Sequence, residues 1–144
     1  MLKGIVLKVP SDERLLETIQ VFVEKVGITA GIGEEDVTSL SISVMELVKN
    51  GMEHGNGGDP KKTVTLSIDS FPGRLQFLID DCGSWQPDAE LGHKPGEGEE
   101  LISSRGRGVL IARNLARWLD FGLSPQGKTR ATLIWPLIRR SSNA

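Results

Sequence analysis

The sequence predicts an α/β protein, specifically a two-layer α/β sandwich in which helices cover one face of a mixed sheet. Three segments repeat apolar residues at helical spacing, and several shorter segments alternate apolar and polar residues as strands do. Their order is strand, two helices, hairpin, long loop, helix, an optional strand and a closing strand, which is typical of helices gathered on one face of a sheet. With 144 residues, the chain is long enough to form one domain over positions 1–144.

The first strand and the first helix are predicted over residues 4–10 and 11–28. "GIVLKVP" alternates and ends at a proline, which favours a strand. Ser11 is placed to cap the helix that follows. Gly27 and the following "TAGIG" should end this helix. Its apolar positions at helical spacing are Leu15, Ile19, Phe22 and Val26.

A second helix is predicted over residues 34–55, where the apolar residues fall within one arc of a helical projection. That arc should face a sheet, and "NGGDP" should end the helix. "KTVTLSIDSF" (62–71) and "RLQFLIDD" (74–81) alternate on either side of a Pro-Gly pair, which predicts a β-hairpin. The arc of the second helix contains Val37, Leu40, Val44, Leu47, Val48 and Gly51.

The last part of the chain begins with a long glycine-rich segment, 82–108, that has no apolar periodicity. A loop of this length in a small domain is usually functional or mobile. "VLIARNLARWLDF" (109–121) predicts a third helix, and "TRATLIWPL" (129–137) predicts the closing strand. The expected packing residues of the third helix are Leu110, Ala112, Leu115 and Leu119.

Composition restricts the classes of function. The net charge of −2 gives no general attraction for nucleic acid or for an anionic membrane. No apolar run approaches the ~20 residues that span a bilayer, and the N-terminal "MLKGIVLKVPSDERLL" is unlike a signal peptide because a proline and acids interrupt it. Cys82 is the single cysteine, so an intramolecular disulfide is excluded. These features predict a cytoplasmic protein.

An acid, an amide and an imidazole lie four residues apart in the second helix: Glu46, Asn50 and His54. They span an arc of ~80° beside the apolar stripe, at the rim of the expected core. A Glu there can act as a base, and an Asn carbonyl suits Mg²⁺. A solvated helix face is the alternative interpretation, and a histidine in the last helical turn also stabilises the helix dipole without any ligand.

Two further segments have the chemistry of a phosphate or base site. In "SSRGRGVLIARNL", Gly106 and Gly108 precede a helix whose backbone N–H groups can hold phosphate, and Arg105 and Arg107 add positive charge. The alternative for this segment is a flexible entry to a helix. In "IDDCGSW", a carboxylate at a strand end can accept a hydrogen bond from an exocyclic amine; the alternative is an ordinary hairpin exit.

Together these motifs resemble the GHKL ATPase superfamily, the Bergerat fold, and within it the anti-sigma factor serine/threonine protein kinase family of bacterial partner-switching systems. "ELVKNGMEHG" resembles the family's N-box, E-x-x-x-N-x-x-x-H-G, and "SRGRGVLIARNL" resembles the glycine box that closes the ATP lid. "IDDCG" resembles the D-x-G box, and "GKTRATLIWPL" resembles the closing G-x-T strand. The resemblance covers nearly the whole chain, positions 5–137.

The resemblance implies that the chain binds ATP with Mg²⁺. It implies that Asn50 coordinates Mg²⁺, that Glu46 is the base for the attacking hydroxyl, and that His54 lies near the nucleotide. It assigns the remaining nucleotide contacts to Asp81, Gly83, Arg105, Gly106, Arg107, Gly108 and Thr129.

Two registers of the D-x-G box are open. The register that starts at Asp81 and reaches Gly83 keeps the apolar alternation of the preceding strand. The register that starts at Asp80 aligns the following "WQP" without a gap, but it puts Cys82 where the family has glycine. Strand parity favours Asp81 as the adenine acceptor.

The resemblance predicts an ATP-binding anti-sigma-type regulator. It would phosphorylate a serine or threonine on a STAS-domain anti-anti-sigma protein and otherwise sequester a sigma factor or an equivalent target. A homodimer is also expected, whereas direct contacts with nucleic acid or a membrane are not. One alternative is a nucleotide-binding partner-switch module without kinase activity, against which Glu46 argues. The other is a stand-alone histidine-kinase-like ATPase domain that acts with a separate phosphoacceptor.

Overall fold

Two helices lie against one face of a five-stranded sheet in the computed structural model, which describes residues 1–83 and 118–137. In chain order the elements are β1 (Ile5–Pro10), α1 (Leu16–Ala30), α2 (Glu34–Asn50), β2 (Thr63–Phe71), β3 (Arg74–Asp80), β4 (Trp118–Leu123) and β5 (Thr129–Pro136). A 3₁₀ turn, Glu13–Leu15, precedes α1, and a π-helical turn follows α2. The strand order is β1-β2-β3-β5-β4.

The α/β class is confirmed, whereas the sheet is antiparallel and not mixed throughout the described strands. The helices explain this difference at the start of the chain. α1 and α2 form a helical hairpin, so the chain leaves β1 and enters β2 at the same end of the sheet. There the backbone N–H of Ser11 donates to the carbonyl oxygen of Lys62, with an N···O distance of 3.0 Å.

The core lies between the sheet and the helices, because β2, β3 and β5 bury every second residue. In the sheet, Phe77 lies opposite Ile68 on one side and Leu133 on the other, and all three side chains are fully buried. The predicted hairpin and closing strand are thus confirmed. The helix residues that complete this core include Ile19, Val23, Leu40, Val44, Leu47 and Val48.

The start of α1 differs from the prediction, whereas its end agrees. Asp12, not Ser11, caps the 3₁₀ turn that leads into α1, because its carboxylate accepts a hydrogen bond from the backbone N–H of Arg14. The Ser11 hydroxyl instead donates to the carbonyl oxygen of Lys62, so a long-range partner has replaced the local one. The helix continues past Gly27 and ends at Gly31, inside the predicted "TAGIG", and the φ of 106° at Gly31 is a left-handed conformation that suits glycine.

The second predicted helix, 34–55, is confirmed in two parts. Three acidic residues in the first turn of α2 stabilise its dipole. The π turn, defined as Gly51–Gly55, then extends the helix. A hydrogen bond from the N–H of Asn56 to the carbonyl oxygen of Gly51 closes this turn. The bond spans one residue more than the corresponding bond of an α-helix does. Within the described part of the chain, no helix is long and apolar enough to cross a membrane.

The third predicted helix is wrong in its last four residues. From Trp118 onward these residues form the start of β4 and pair with β5. Leu119 was expected in a helical stripe, but it lies opposite Leu133 in the sheet and packs against the core. The side chains of β4 alternate between core and solvent. This two-residue period is short and directly follows apolar residues at helical spacing, so the whole segment was assigned to a helix. The rest of that helix and of the long loop, 84–117, lies outside the described residues.

We expect Phe77→Ala to lower the free energy of unfolding by about 3–5 kcal/mol, because truncation of a fully buried ring leaves a cavity. Val6→Ala is the control. Val6 lies on edge strand β1 with 62% of its side chain exposed, so its replacement should change stability by less than about 0.5 kcal/mol. Equilibrium urea unfolding measures both values, and equal losses for the two variants would contradict the core described above.

Candidate functional site

A cavity of about 300 Å³ opens between the last turn of α2, the π turn and the neighbouring ends of β3, β4 and β5. This volume is at the lower end of the range for small-molecule pockets. Apolar side chains from the strands form part of its wall, and polar groups project from α2 and from the strand ends. The lining residues are Leu47, Asn50, Gly51, His54, Gly55, Ile79, Asp81, Phe121, Thr129 and Ala131.

Asp81 is the acid of this cavity, and it is almost completely buried. Burial raises the pKa of its carboxyl to about 6, and the charge of neighbouring Asp80 acts in the same direction. The N–H of Gly83 donates to Oδ1 of Asp81 at 2.7 Å, which opposes this shift because it favours the charged form. At neutral pH the group is therefore mostly a carboxylate, which accepts a hydrogen bond from an N–H donor.

Asp80, the other acid of the two registers, lies on the opposite face of the sheet. Its Oδ1 and Oδ2 accept hydrogen bonds from Nε and Nη2 of Arg130 at 2.7 and 2.8 Å. Adjacent residues of a strand point to opposite faces, so the same parity that buries Ile79 points Asp80 away from the cavity. Of the two acids, Asp81 is the one that can meet a ligand in the cavity.

The π turn brings the backbone of Gly55 against the carboxylate of Asp81. A Cβ atom on Gly55 would overlap this carboxylate, so the close approach requires glycine. At Gly51 a Cβ would lie 3.5 Å from the Cβ of Asp81, which is an ordinary van der Waals distance. Gly83 is also confined, since its Cβ would lie 2.8 Å from the carbonyl oxygen of Gly55. Gly55 and Gly83 therefore enclose the carboxylate of Asp81.

Asn50 contributes a buried amide to the cavity. Its side chain is 8% exposed, and Nδ2 has no hydrogen-bond partner among the residues that the structure describes. An unpaired buried amide is costly, so this group is suited to a ligand in the cavity. The carboxamide also offers an oxygen, which is the type of ligand that Mg²⁺ prefers. Over residues 1–83 and 118–137 no three His, Cys, Asp or Glu side chains form a metal cluster.

The cavity brings together four of the residues that the sequence singled out: Asn50, His54, Asp81 and Thr129. His54 lines it from an exposed position in the π turn. Thr129 is buried; its backbone N–H donates to the carbonyl oxygen of Gly83, and its own carbonyl accepts from the N–H of Asp81.

Glu46 is not among the residues that line the cavity. It is half-exposed on α2, one helical turn before Asn50. Four further predicted site residues, Arg105, Gly106, Arg107 and Gly108, lie outside the described residues.

Asn56 is the residue that sequence reasoning missed. It is 2% exposed, and its carboxamide joins three separate segments. Nδ2 donates to Oγ of Ser11 at 2.8 Å and to the carbonyl oxygen of Thr63 at 3.0 Å, and Oδ1 accepts from the N–H of Cys82 at 2.7 Å. The sequence offered one signal, an Asn at the end of a helix, but "NGG" was interpreted as a simple helix break.

We expect Gly55→Ala to displace the carboxylate of Asp81 toward solvent, because the new methyl group takes its place. The pKa of Asp81 should then fall from about 6 toward its ordinary value of 3.8. Gly51→Ala is the matched control, since its methyl group meets only ordinary contacts. A carboxyl-carbon NMR titration of Asp81 in the two variants and in the wild type measures this difference.

The same change should appear in folding. A raised pKa means that the folded state binds the proton more tightly than the unfolded state does, so the wild type should lose stability as pH rises from about 4 to about 6. The loss should be at most about 3 kcal/mol, because each unit of pKa difference between the folded and the unfolded state contributes about 1.4 kcal/mol. Gly55→Ala should lack this loss of stability. An unchanged titration of Asp81 in a folded Gly55→Ala would contradict the prediction, because it would show that the helix end moves and the carboxylate stays in place.

The chain is similar to two known proteins and matches one family model. The chain is 23% identical over 114 residues to the serine-protein kinase RsbW of Bacillus velezensis, a match that covers 76% of this chain and 71% of that protein. Its fold is similar to that in the SiaB-SiaC complex from Pseudomonas aeruginosa, with a TM-score of 0.53, 12% identity, and coverage of 92% of this chain and 89% of that one. The family model described as a histidine kinase-like ATPase domain matches residues 9–135. Because that match covers most of the chain, the protein belongs to the histidine kinase-like ATPase domain family.

Proposed function

We propose that the protein is an ATP-binding anti-sigma-type regulator, a single domain over residues 1–144, with serine/threonine protein kinase activity. The observation that carries this proposal is the cavity in which two buried side chains face one space: the acid of Asp81 and the amide of Asn50, which has no hydrogen-bond partner for Nδ2 among residues 1–83 and 118–137. The family match and the similarity to a serine-protein kinase support an ATPase-type regulator. Phosphoryl transfer to a hydroxyl group of a partner protein is the more specific part of this proposal.

The adenine ring would enter at the strand end of the cavity. Ile79, Phe121 and Ala131 provide apolar surface there, and the carboxylate of Asp81 would accept a hydrogen bond from the exocyclic amine. Burial strengthens such a bond, because water does not compete for the acceptor. A base that presents a carbonyl in place of the amine would meet a carboxylate with no proton to share, so the site should prefer adenine over guanine.

The phosphates would extend toward the last turn of α2. Asn50 would hold Mg²⁺ through its side-chain oxygen, and the ion would supply neutralisation of the phosphate charge. The remaining nucleotide contacts are proposed on the basis of their motifs: Gly83, Arg105, Gly106, Arg107, Gly108 and, in the closing strand, Thr129. His54, exposed at the cavity margin, is proposed as a further contact.

Glu46 would act on the incoming hydroxyl and not on the nucleotide. Its half-exposed position one turn before Asn50 leaves it accessible from outside the cavity, where a serine or threonine of a partner protein would approach. A carboxylate in that place would orient or deprotonate the hydroxyl as it attacks the γ-phosphate.

The proposed partners are a STAS-domain anti-anti-sigma protein as the phosphoacceptor and a sigma factor or an equivalent target as the sequestered protein, in the cytoplasm. One similar protein is itself a serine-protein kinase, and the structural neighbour was solved as a complex of two proteins. A homodimer is part of the same proposal.

One observation favours a second candidate function, a nucleotide-dependent partner switch without kinase activity. Glu46 lies outside the lining of the cavity, whereas four of the residues proposed to bind the nucleotide lie within it: Asn50, His54, Asp81 and Thr129. Such a protein would bind ATP and change its affinity for partners without phosphoryl transfer. The two functions differ in one measurable property, the transfer of phosphate to a partner.

Nucleotide recognition is tested first. Asp81→Asn should weaken ADP binding by about tenfold to a hundredfold, because an amide is a poorer acceptor and presents a donor to the amine. Asp80→Asn is the matched control, since that acid pairs with Arg130 on the other face and should change ADP affinity by less than about twofold. Calorimetry with both variants decides between the registers, and the reverse ranking would assign the base to Asp80.

Kinase activity is tested by Glu46→Gln. The variant should bind ATP as the wild type does, yet transfer phosphate to a STAS-domain partner about 10²–10⁴ times more slowly. Glu53→Gln is the control, because Glu53 is an exposed acid of the same helical segment that pairs with Lys49. Transfer at the wild-type rate by Glu46→Gln would reject Glu46 as the base. ATP binding without any transfer by the wild type would instead support the switch without kinase activity.

A further inference from the structure

We propose that Asn56 is a positioning residue for base recognition, which acts by holding the carboxylate of Asp81 at its depth in the cavity. The proposal rests on the nucleotide site proposed above. Asn56 does not line the cavity, so any effect on a bound base must pass through another residue. The path is short, because Asn56 directly follows Gly55 and its side chain binds the residue directly after Asp81.

The hydrogen bonds of Asn56 determine its orientation. Both N–H groups of Nδ2 are used, one by Ser11 and one by the carbonyl of Thr63, so Oδ1 must face the N–H of Cys82. A rotated amide would place a donor against the Cys82 N–H and an acceptor against the Thr63 carbonyl, and both contacts would be lost. The buried side chain therefore fixes Cys82 in one place relative to the end of the π turn.

This contact and the contact of Gly55 both join the end of the π turn to the segment that holds Asp81. The Gly55 backbone lies against the carboxylate, and a Cβ atom would not fit between them. The Asn56–Cys82 hydrogen bond, at 2.7 Å, holds the residue directly after the acid. The backbone bonds of Asp81 and Gly83 to Thr129 fix the same segment against β5, so loss of the Asn56 bond would shift the carboxylate relative to the helix end without releasing the segment.

A purely structural role is the competing explanation, and the geometry separates the two. The bonds to Ser11 and Thr63 connect Asn56 to the ends of β1 and β2, and neither residue lines the cavity, although the Thr63 carbonyl also accepts from Sγ of Cys82 at 3.5 Å. The bond to Cys82 is the one that reaches the acid. Ser11→Ala removes part of the first set and leaves the second intact, so it is the control for a general loss of stability.

The experiment is calorimetry of ADP and GDP binding to the full-length chain, as wild type, Asn56→Ala, Ser11→Ala, Asp81→Asn and the double variant Asn56→Ala with Asp81→Asn. We expect Asn56→Ala to reduce the preference for ADP over GDP about tenfold, because a displacement near 1 Å is enough to misplace a binding group. Ser11→Ala should change this preference by less than about twofold, although both variants lose stability. With Asp81 already replaced, Asn56→Ala should change ADP affinity by less than about twofold.

Equal losses of ADP affinity from Asn56→Ala in both backgrounds would overturn the proposal, as would an unchanged preference in a folded Asn56→Ala. If Asn56→Ala does not fold, Asn56→Ser replaces it. The shorter hydroxyl side chain does not reach Ser11, Thr63 and Cys82 together, so the preference should fall as in Asn56→Ala, and an unchanged preference in folded Asn56→Ser would overturn the proposal. A wild type that binds neither nucleotide would reject the proposed nucleotide site itself, which is a distinct result.

Discussion

The close approach of a helix end to a strand end is the constraint on which the site depends. α2 packs along the sheet, the π turn extends it, and the chain then passes Asp81 with no side chain between them. The parity of β3 points this acid inward, and the hydrogen bonds of Asn56 keep the two segments together. If any one of these conditions failed, the cavity would lose Asp81 or the backbone that encloses it, whereas the core between the sheet and the helices would remain.

The fold was predictable where local pattern and final environment agree. β2, β3 and β5 have a two-residue period because one face is buried, and α2 has a continuous apolar arc because it lies on that face. The errors occur where a distant partner decides. Ser11 has the chemistry of a cap, but its hydroxyl bonds to Lys62, 51 residues away. β4 is short, and its pairing with β5 outweighed the helical pattern in front of it.

The candidate site divides in the same way. The spacing of Asn50 and His54 and the parity of Asp81 are local properties, and all three residues line the cavity. Asn56 was not predictable, because its side-chain partners lie 7, 26 and 45 residues away and come together only in the folded sheet. The place of Glu46 outside the cavity lining was equally hidden, since helical spacing gives a direction around an axis but not a depth.

The π turn also limits how the length of this segment can vary. A π turn contains one residue more than an α-helical turn needs, and here the extra residue brings Asn56 into phase with the ends of three strands. Deletion of one residue between Gly51 and Gly55 would remove this extra residue, and Asn56 would lose its position opposite its three partners. Exposed side chains of this segment, such as that of Glu53, can therefore be replaced, whereas an insertion or a deletion would displace Asn56. In descendants of this chain, a change of even one codon in number at this place would be expected to remove the site while the rest of the fold persists.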